Sequence, residues 1–109
     1  MKFSLDYTLG AIENELTKLV IYRVFQEMTT NAVKHSAATK VHIDILDKYS
    51  VYHINYRDNG VVYDSKLKSD GIGLQSIKGR VEAINGNVDV KTAPQNGVTI
   101  HIKIPIWPA

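Results

Sequence analysis

A chain of 109 residues with a net charge of +2 is one ordinary domain, long enough to hold a core without staples and too weakly charged to argue for a nucleic-acid partner. Its 44% hydrophobic and 22% charged residues are the profile of a globular protein, and no apolar run approaches the ~20 residues of a membrane span. The absence of cysteine removes disulfide and thiolate chemistry and is compatible with a reducing cytosol.

Along the chain, Phe3, Leu5 and Tyr7 alternate with polar residues and predict a short first strand. From about Thr17 to Ser36 there is no Gly or Pro, and Ile21, Val24, Phe25, Met28 and Ala32 recur at helical spacing, so an amphipathic helix is expected. Thr39 to Leu46 alternates with Val41, Ile43 and Ile45 on one face. Val51 to Arg57 does the same with Tyr52, Ile54 and Tyr56, and Asp47 to Ser50 reads as the hairpin turn between them. Asp58-Asn59-Gly60 breaks the strand, and residues 61–72 read as a loop. A second helix is expected from Leu74 to Ile84, closed by a left-handed cap at Asn85-Gly86. Two more strands, Asn87–Val90 and Gly97–Ile104, are joined through Pro94-Gln95-Asn96-Gly97. Strands with one wet face, and helices to cover the other, give an α+β fold: a two-layer sandwich filling residues 1–109 as a single domain.

Three segments carry chemistry. On the first helix, Glu27, Asn31 and Lys34 fall within about 60° of one another, given about 100° per residue. An Asn oxygen can ligate a hard cation such as Mg²⁺, a carboxylate one turn earlier can orient water or act as a base, and a Lys one turn later can meet a phosphate. A solvated helix face is the other reading of that stripe, and His35 reads alone as a helix-end residue. Second, Asp58-Asn59-Gly60 ends a strand with a carboxylate able to accept from an amino group of a base, beside a Gly that permits close approach. It is equally good turn chemistry. Third, Asp70-Gly71-Ile72-Gly73-Leu74 opens a helix, where unpaired N–H groups and the helix dipole favour phosphate. A flexible helix entry would look the same, and the segment is neither a Walker loop nor a G-x-G-x-x-G fingerprint.

Taken together and in this order, Glu-x-x-x-Asn-Ala-x-Lys-His, Asp-x-Gly and Gly-x-Gly-Leu resemble the GHKL ATPases, a superfamily that includes histidine kinases, type II topoisomerases, mismatch-repair ATPases and heat-shock chaperones. The stretch from Gly71 to Gly86 looks like the short-lid sensor histidine kinases of the nitrate-sensing and membrane-fluidity-sensing type. The resemblance covers roughly residues 2–105. It implies the Bergerat fold, with a mixed, mostly antiparallel sheet, helices on one face, and ATP between helix and lid. By the same resemblance Asn31 is the Mg²⁺ ligand and Glu27 the acidic partner at the γ-phosphate end. Lys34 and His35 approach the phosphates, Asp58 holds the adenine amino group with Gly60 beside the ring, and Gly71, Ile72, Gly73 and Leu74 form the phosphate-facing turn. Arg80 is expected to be a structural or partner-facing cation first and a phosphate contact second.

The longer pattern Asp-x-Gly-x-Gly would place Gly at 62, where this chain has Val62. No phosphoacceptor segment is present: His35, His42, His53 and His101 sit on the wrong elements. The resemblance therefore implies a cytoplasmic fragment of a larger, homodimeric histidine kinase, whose membrane attachment, if it has one, lies outside this sequence. Its substrate histidine lies on a dimerisation helix, and its phosphate passes to a response regulator. Mg-ATP is the expected cofactor, with no nucleic acid as partner. A regulatory serine kinase of the anti-sigma type and a non-catalytic ATP-binding or docking module are the alternatives.

Overall fold

A computed structural model describes residues 2–35, 38–60, 74–93 and 97–106, with side chains described in all of these except 33–35 and 92–93. In chain order the elements are β1 (Lys2–Thr8), α1 (Glu15–His35), β2 (Lys40–Lys48), β3 (Val51–Asp58), α2 (Leu74–Glu82), β4 (Asn87–Ala93) and β5 (Gly97–Pro105). The strands form one sheet in the order β1-β2-β3-β5-β4, with β1 parallel to β2 and every other pair antiparallel. This is the mixed, mostly antiparallel sheet that the resemblance implied.

The core follows from period-2 patterning. Across the sheet, Ile43 faces Tyr56, Ile45 faces Ile54, and Ile54 and Tyr56 in turn face Ile102 and Ile100. These side chains meet Val20, Ile21, Val24, Met28 and Ala32 of α1 and Leu74, Ile77 and Val81 of α2 in one buried cluster. Ile43, Ile54, Ile102 and Ile104 have no accessible surface, and each such side chain stabilises the fold by roughly 1.5–3 kcal/mol.

The helix ends show why the elements stop where they do. Helix α1 begins at Glu15, two residues before the expected start, because Asn14 caps it: Asn14 Oδ1 accepts the amide of Thr17 at 3.0 Å. Helix α2 ends in a Schellman motif. The amide of Gly86 donates to the Val81 carbonyl at 2.9 Å and that of Asn85 to the Glu82 carbonyl at 3.1 Å, with Asn85 left-handed at φ 66°. Gly86 serves the packing: a side chain there would press on the Lys103 carbonyl and on Val81. The β2–β3 hairpin turns on Tyr49 and Ser50, both left-handed, with Lys48 paired to Val51.

Strand β1 departs from expectation in one respect. Phe3, Leu5 and Tyr7 stand on the same face as Val41, Ile43 and Ile45 of β2, yet remain about half exposed, at 43%, 45% and 55%. They lie at the edge of the sheet, and the helices leave that edge largely uncovered.

Candidate functional site

The end of β3 carries a built carboxylate. Tyr56 and Asp58 are two residues apart, so the pleat puts them on one face. The Tyr56 hydroxyl donates to Asp58 Oδ2 at 2.6 Å, and the amide of Gly60 donates to Asp58 Oδ1 at 2.9 Å. Burial, followed by this hydrogen bond to Asp58, pushes the Tyr56 phenol well above the usual tyrosine range. The tyrosine is therefore a fixed donor, and both carboxylate oxygens are oriented.

The neighbouring Asn59 clamps the same strand end. Its Oδ1 accepts the amides of Thr39 and Lys40 at 2.9 Å each, and its Nδ2 donates to Thr39 Oγ1 at 2.9 Å. Its own amide donates to the Lys40 carbonyl at 3.2 Å. What reads as turn chemistry in the sequence is a lock between the end of β3 and the start of β2. Gly97 closes the other flank. At φ 91° it lies so near the Asp58 carbonyl that any side chain would collide with that backbone.

Helix α1 supplies the second group of residues. Glu27 and Asn31 stand one turn apart and half-buried, beside the buried stripe of Val24, Met28 and Ala32. Met28 and Ala32 share the buried cluster with Tyr56, so this half of α1 and the end of β3 belong to one packed unit. Glu27 is held from α2: its Oε1 accepts from Ser76 Oγ at 3.0 Å and from Arg80 Nε at 3.0 Å. Its Oε2 is buried and finds no hydrogen-bond partner among the described residues. A buried acceptor left unpaired costs about 1–3 kcal/mol, more when charged, unless a water, an ion or a substrate meets it.

The structure thus makes one packed unit of the elements bearing Glu27, Asn31 and Asp58, with Gly60 bonded to the Asp58 carboxylate. Arg80 joins them as an ion-pair partner of Glu27. Leu74 is buried at the start of α2, as a core residue. Gly71, Ile72 and Gly73, the loop before them, and the side chains of Lys34 and His35 lie outside the described residues. The sequence reading missed Tyr56, Asn59, Ser76 and Gly97. Strand alternation could have paired Tyr56 with Asp58, since both fall on the inward face. Gly97 had no such signal, because its role depends on which strand lies beside β3.

The fold agrees with comparisons to known proteins. The sequence pattern of the family described as histidine kinase-, DNA gyrase B-, and HSP90-like ATPases matches residues 17–108. The sensor histidine kinase YdfH of Bacillus subtilis is 36% identical over 106 residues, which is 94% of this chain and 26% of that protein. The histidine-protein kinase/phosphatase DegS of Brevibacillus brevis is 34% identical over 93 residues, 84% of this chain and 24% of that protein. The chain thus spans about a quarter of the length of these relatives. Among solved structures, the Acinetobacter baumannii histidine kinase AdeS superposes with a TM-score of 0.74 at 19% identity, over 97% of this chain and 55% of that one, and shares the fold. The chain belongs to the histidine kinase-, DNA gyrase B-, and HSP90-like ATPase family, as an ATPase domain of the sensor histidine kinase type.

Proposed function

We propose that this domain, on the cytoplasmic side, binds Mg-ATP and donates the γ-phosphoryl group to a histidine on a separate dimerisation helix, in a homodimeric kinase that feeds a response regulator. The observation that carries the reading is the Asp58 carboxylate, oriented by Tyr56 and Gly60 at the end of a buried strand. A carboxylate with both oxygens already directed accepts an exocyclic amino group without further ordering, and it rejects a base that presents a carbonyl there.

The other residues divide the remaining work. Asn31 offers a hard amide oxygen and Glu27 a carboxylate oxygen, suited to a cation held largely by phosphates and water. Mg²⁺, when bound, supplies charge neutralisation at the phosphates. Lys34, His35 and the amides of Gly71 to Gly73 are assigned to the phosphates by the family pattern. In the transfer, a lone pair on an imidazole nitrogen of the acceptor histidine forms the new bond to phosphorus. The bond to the β,γ-bridging oxygen breaks and ADP keeps that electron pair. The proton on the other imidazole nitrogen passes to a base, for which Glu27 Oε2 is the candidate. Catalysis by this chain is then positioning and electrostatics.

Calorimetry with ATP and GTP, on the parent and on Asp58→Ala, tests the nucleotide site. ATP should bind and GTP bind far more weakly, and the variant should lose about 1.5–3 kcal/mol of ATP affinity, roughly 10- to 150-fold. Equal binding of the two nucleotides by the parent would remove Asp58 from the adenine contact. Labelled ATP with a histidine-bearing dimerisation fragment of a relative tests the transfer. Acid-labile label on that fragment is expected; acid-stable label would mark a serine kinase, and no label with intact binding a docking module.

A further inference from the structure

We infer that Arg80 and Ser76 are positioning residues for Glu27, fixing which of its two oxygens serves the reaction. The inference deepens the transfer reading above, and it rests on how the carboxylate is held. Ser76 and Arg80 stand one turn apart on α2, and both donate to the same oxygen, Glu27 Oε1, at 3.0 Å. Two donors on one oxygen fix the plane of the carboxylate. They leave Oε2 as the open acceptor, and that atom is buried without a partner among the described residues.

The asymmetry argues against a plain surface ion pair. A pair that served stability alone would turn the guanidinium to engage both oxygens, the stronger bidentate form. Here Arg80 makes its contact through Nε, and its side chain stays 45% exposed while Glu27 is 25% exposed. A partly exposed pair of this kind contributes about 0.2–1 kcal/mol to folding, measurable but too small to be its main use. What the contact does supply is direction. Glu27 has three rotatable bonds before its carboxylate, and an unheld side chain would spread over several rotamers. Helix α2 is itself immobilised by Leu74, Ile77 and Val81 in the core and by its capped end. The donors are therefore anchored before the nucleotide arrives, and Glu27 is pre-set on α1 from a different element. Glu27 remains the group that touches the reacting atoms, and Arg80 and Ser76 act through it.

The test is a double-mutant cycle on the transfer reaction, with Mg-ATP affinity measured beside it. Arg80→Ala should lower kcat about 10- to 100-fold, the effect of losing alignment at a reacting group, with ATP affinity within about two-fold of the parent. Arg80→Lys, which keeps the charge on a flexible stem, should recover part of the rate, and Ser76→Ala should lose less than Arg80→Ala. In a Glu27→Gln background, Arg80→Ala should slow the reaction little further. A loss of equal size in both backgrounds, or a loss of ATP affinity as large as the loss of rate, overturns the inference and makes Arg80 a phosphate contact. If the parent binds ATP and transfers nothing, the transfer reading falls. The cycle is then read on urea unfolding with saturating Mg-ATP, where the effects of Glu27→Gln and Arg80→Ala should be non-additive. Additive effects there would show that the two side chains do not act together and would overturn the inference.

Discussion

At the scale of single residues, the site depends on an atom that Gly97 does not have. Gly97 begins β5, and its φ of 91° puts its α-carbon against the Asp58 carbonyl. Gly97→Ala would combine left-handed strain of about 1–2 kcal/mol with a collision against backbone that has nowhere to retreat, since Asn59 pins the same strand end to β2. Urea unfolding should show a loss of more than ~1 kcal/mol, and ATP affinity should fall with it, because the Asp58 carboxylate rides on the displaced peptide. Gly10→Ala is the matched control: a side chain there meets nothing within 4 Å. A stability loss at Gly97 with unchanged ATP affinity would detach this glycine from the site. The candidate site was legible in part for the same physical reason. Asp58, Glu27 and Asn31 announce themselves through residue type and spacing along one element. Gly97 and Ser76 matter only through what lies across the sheet or across the helix pair, and spacing along the chain carries no record of that.

At the scale of elements, two glycines of neighbouring position in the chain have opposite uses. Gly79 lies inside α2, and an added Cβ meets nothing within 4 Å, so its only effect there is the backbone freedom that helix formation must remove. Gly79→Ala should stabilise the domain by about 0.5–1 kcal/mol. Gly86→Ala should destabilise it, because its Cβ would strike the Lys103 carbonyl and the Val81 side chain. Thermal melts of the two variants check the contrast, and a rise in both would mean that the α2–β5 approach is looser than the structure places it. The helices and inner strands were legible because burial imposes a period, 3.6 on α1 and 2 on β2, β3 and β5. The pair Asn85-Gly86 was read correctly as a stop, although the left-handed residue is Asn85 and the glycine supplies space. The β2–β3 turn was located only because both flanking strands alternate, as Tyr49-Ser50 contains neither Gly nor Asn. The exposure of β1 was not legible. Its alternation matches that of a covered strand, and whether a helix reaches over it is decided elsewhere in the chain.

At the scale of the whole molecule, the sheet has a second face that the nucleotide reading does not use. One row across it runs Asp6, Asp44, Asn55, His101, Asp89, from β1 to β4. His101 Nε2 lies 3.1 Å from His53 Nδ1, while the amide of Asn55 donates to Asp44 at 2.7 Å. Burial lowers the His101 pKa, with His53 and Lys103 adding to the effect and Asp89 and Asp44 opposing it. The unfolded chain therefore takes up this proton at a higher pH than the folded one. Stability from this group is complete above about pH 6.5 and declines as pH falls through the window below. Urea midpoints at about pH 7.5 and about pH 5.5 should drop more in the parent than in His101→Gln, and equal slopes would mean that His101 takes no part. Strand β1 forms the rim of that face. All its residues are exposed, its one strand partner among the described residues is β2, and the family pattern begins beyond it at Thr17. The compact core does not rest on it. What β1 does is close the edge of β2, whose inward residues Val41, Ile43 and Ile45 are buried in the core. Stripped of that strand, the domain would keep its core and bare a row of unpaired amides and carbonyls on a β-branched strand, a ready template for a neighbour's backbone. Loss of β1 would therefore register as clumping between molecules before it registered as unfolding, and β1 is best understood as a guard against unwanted company.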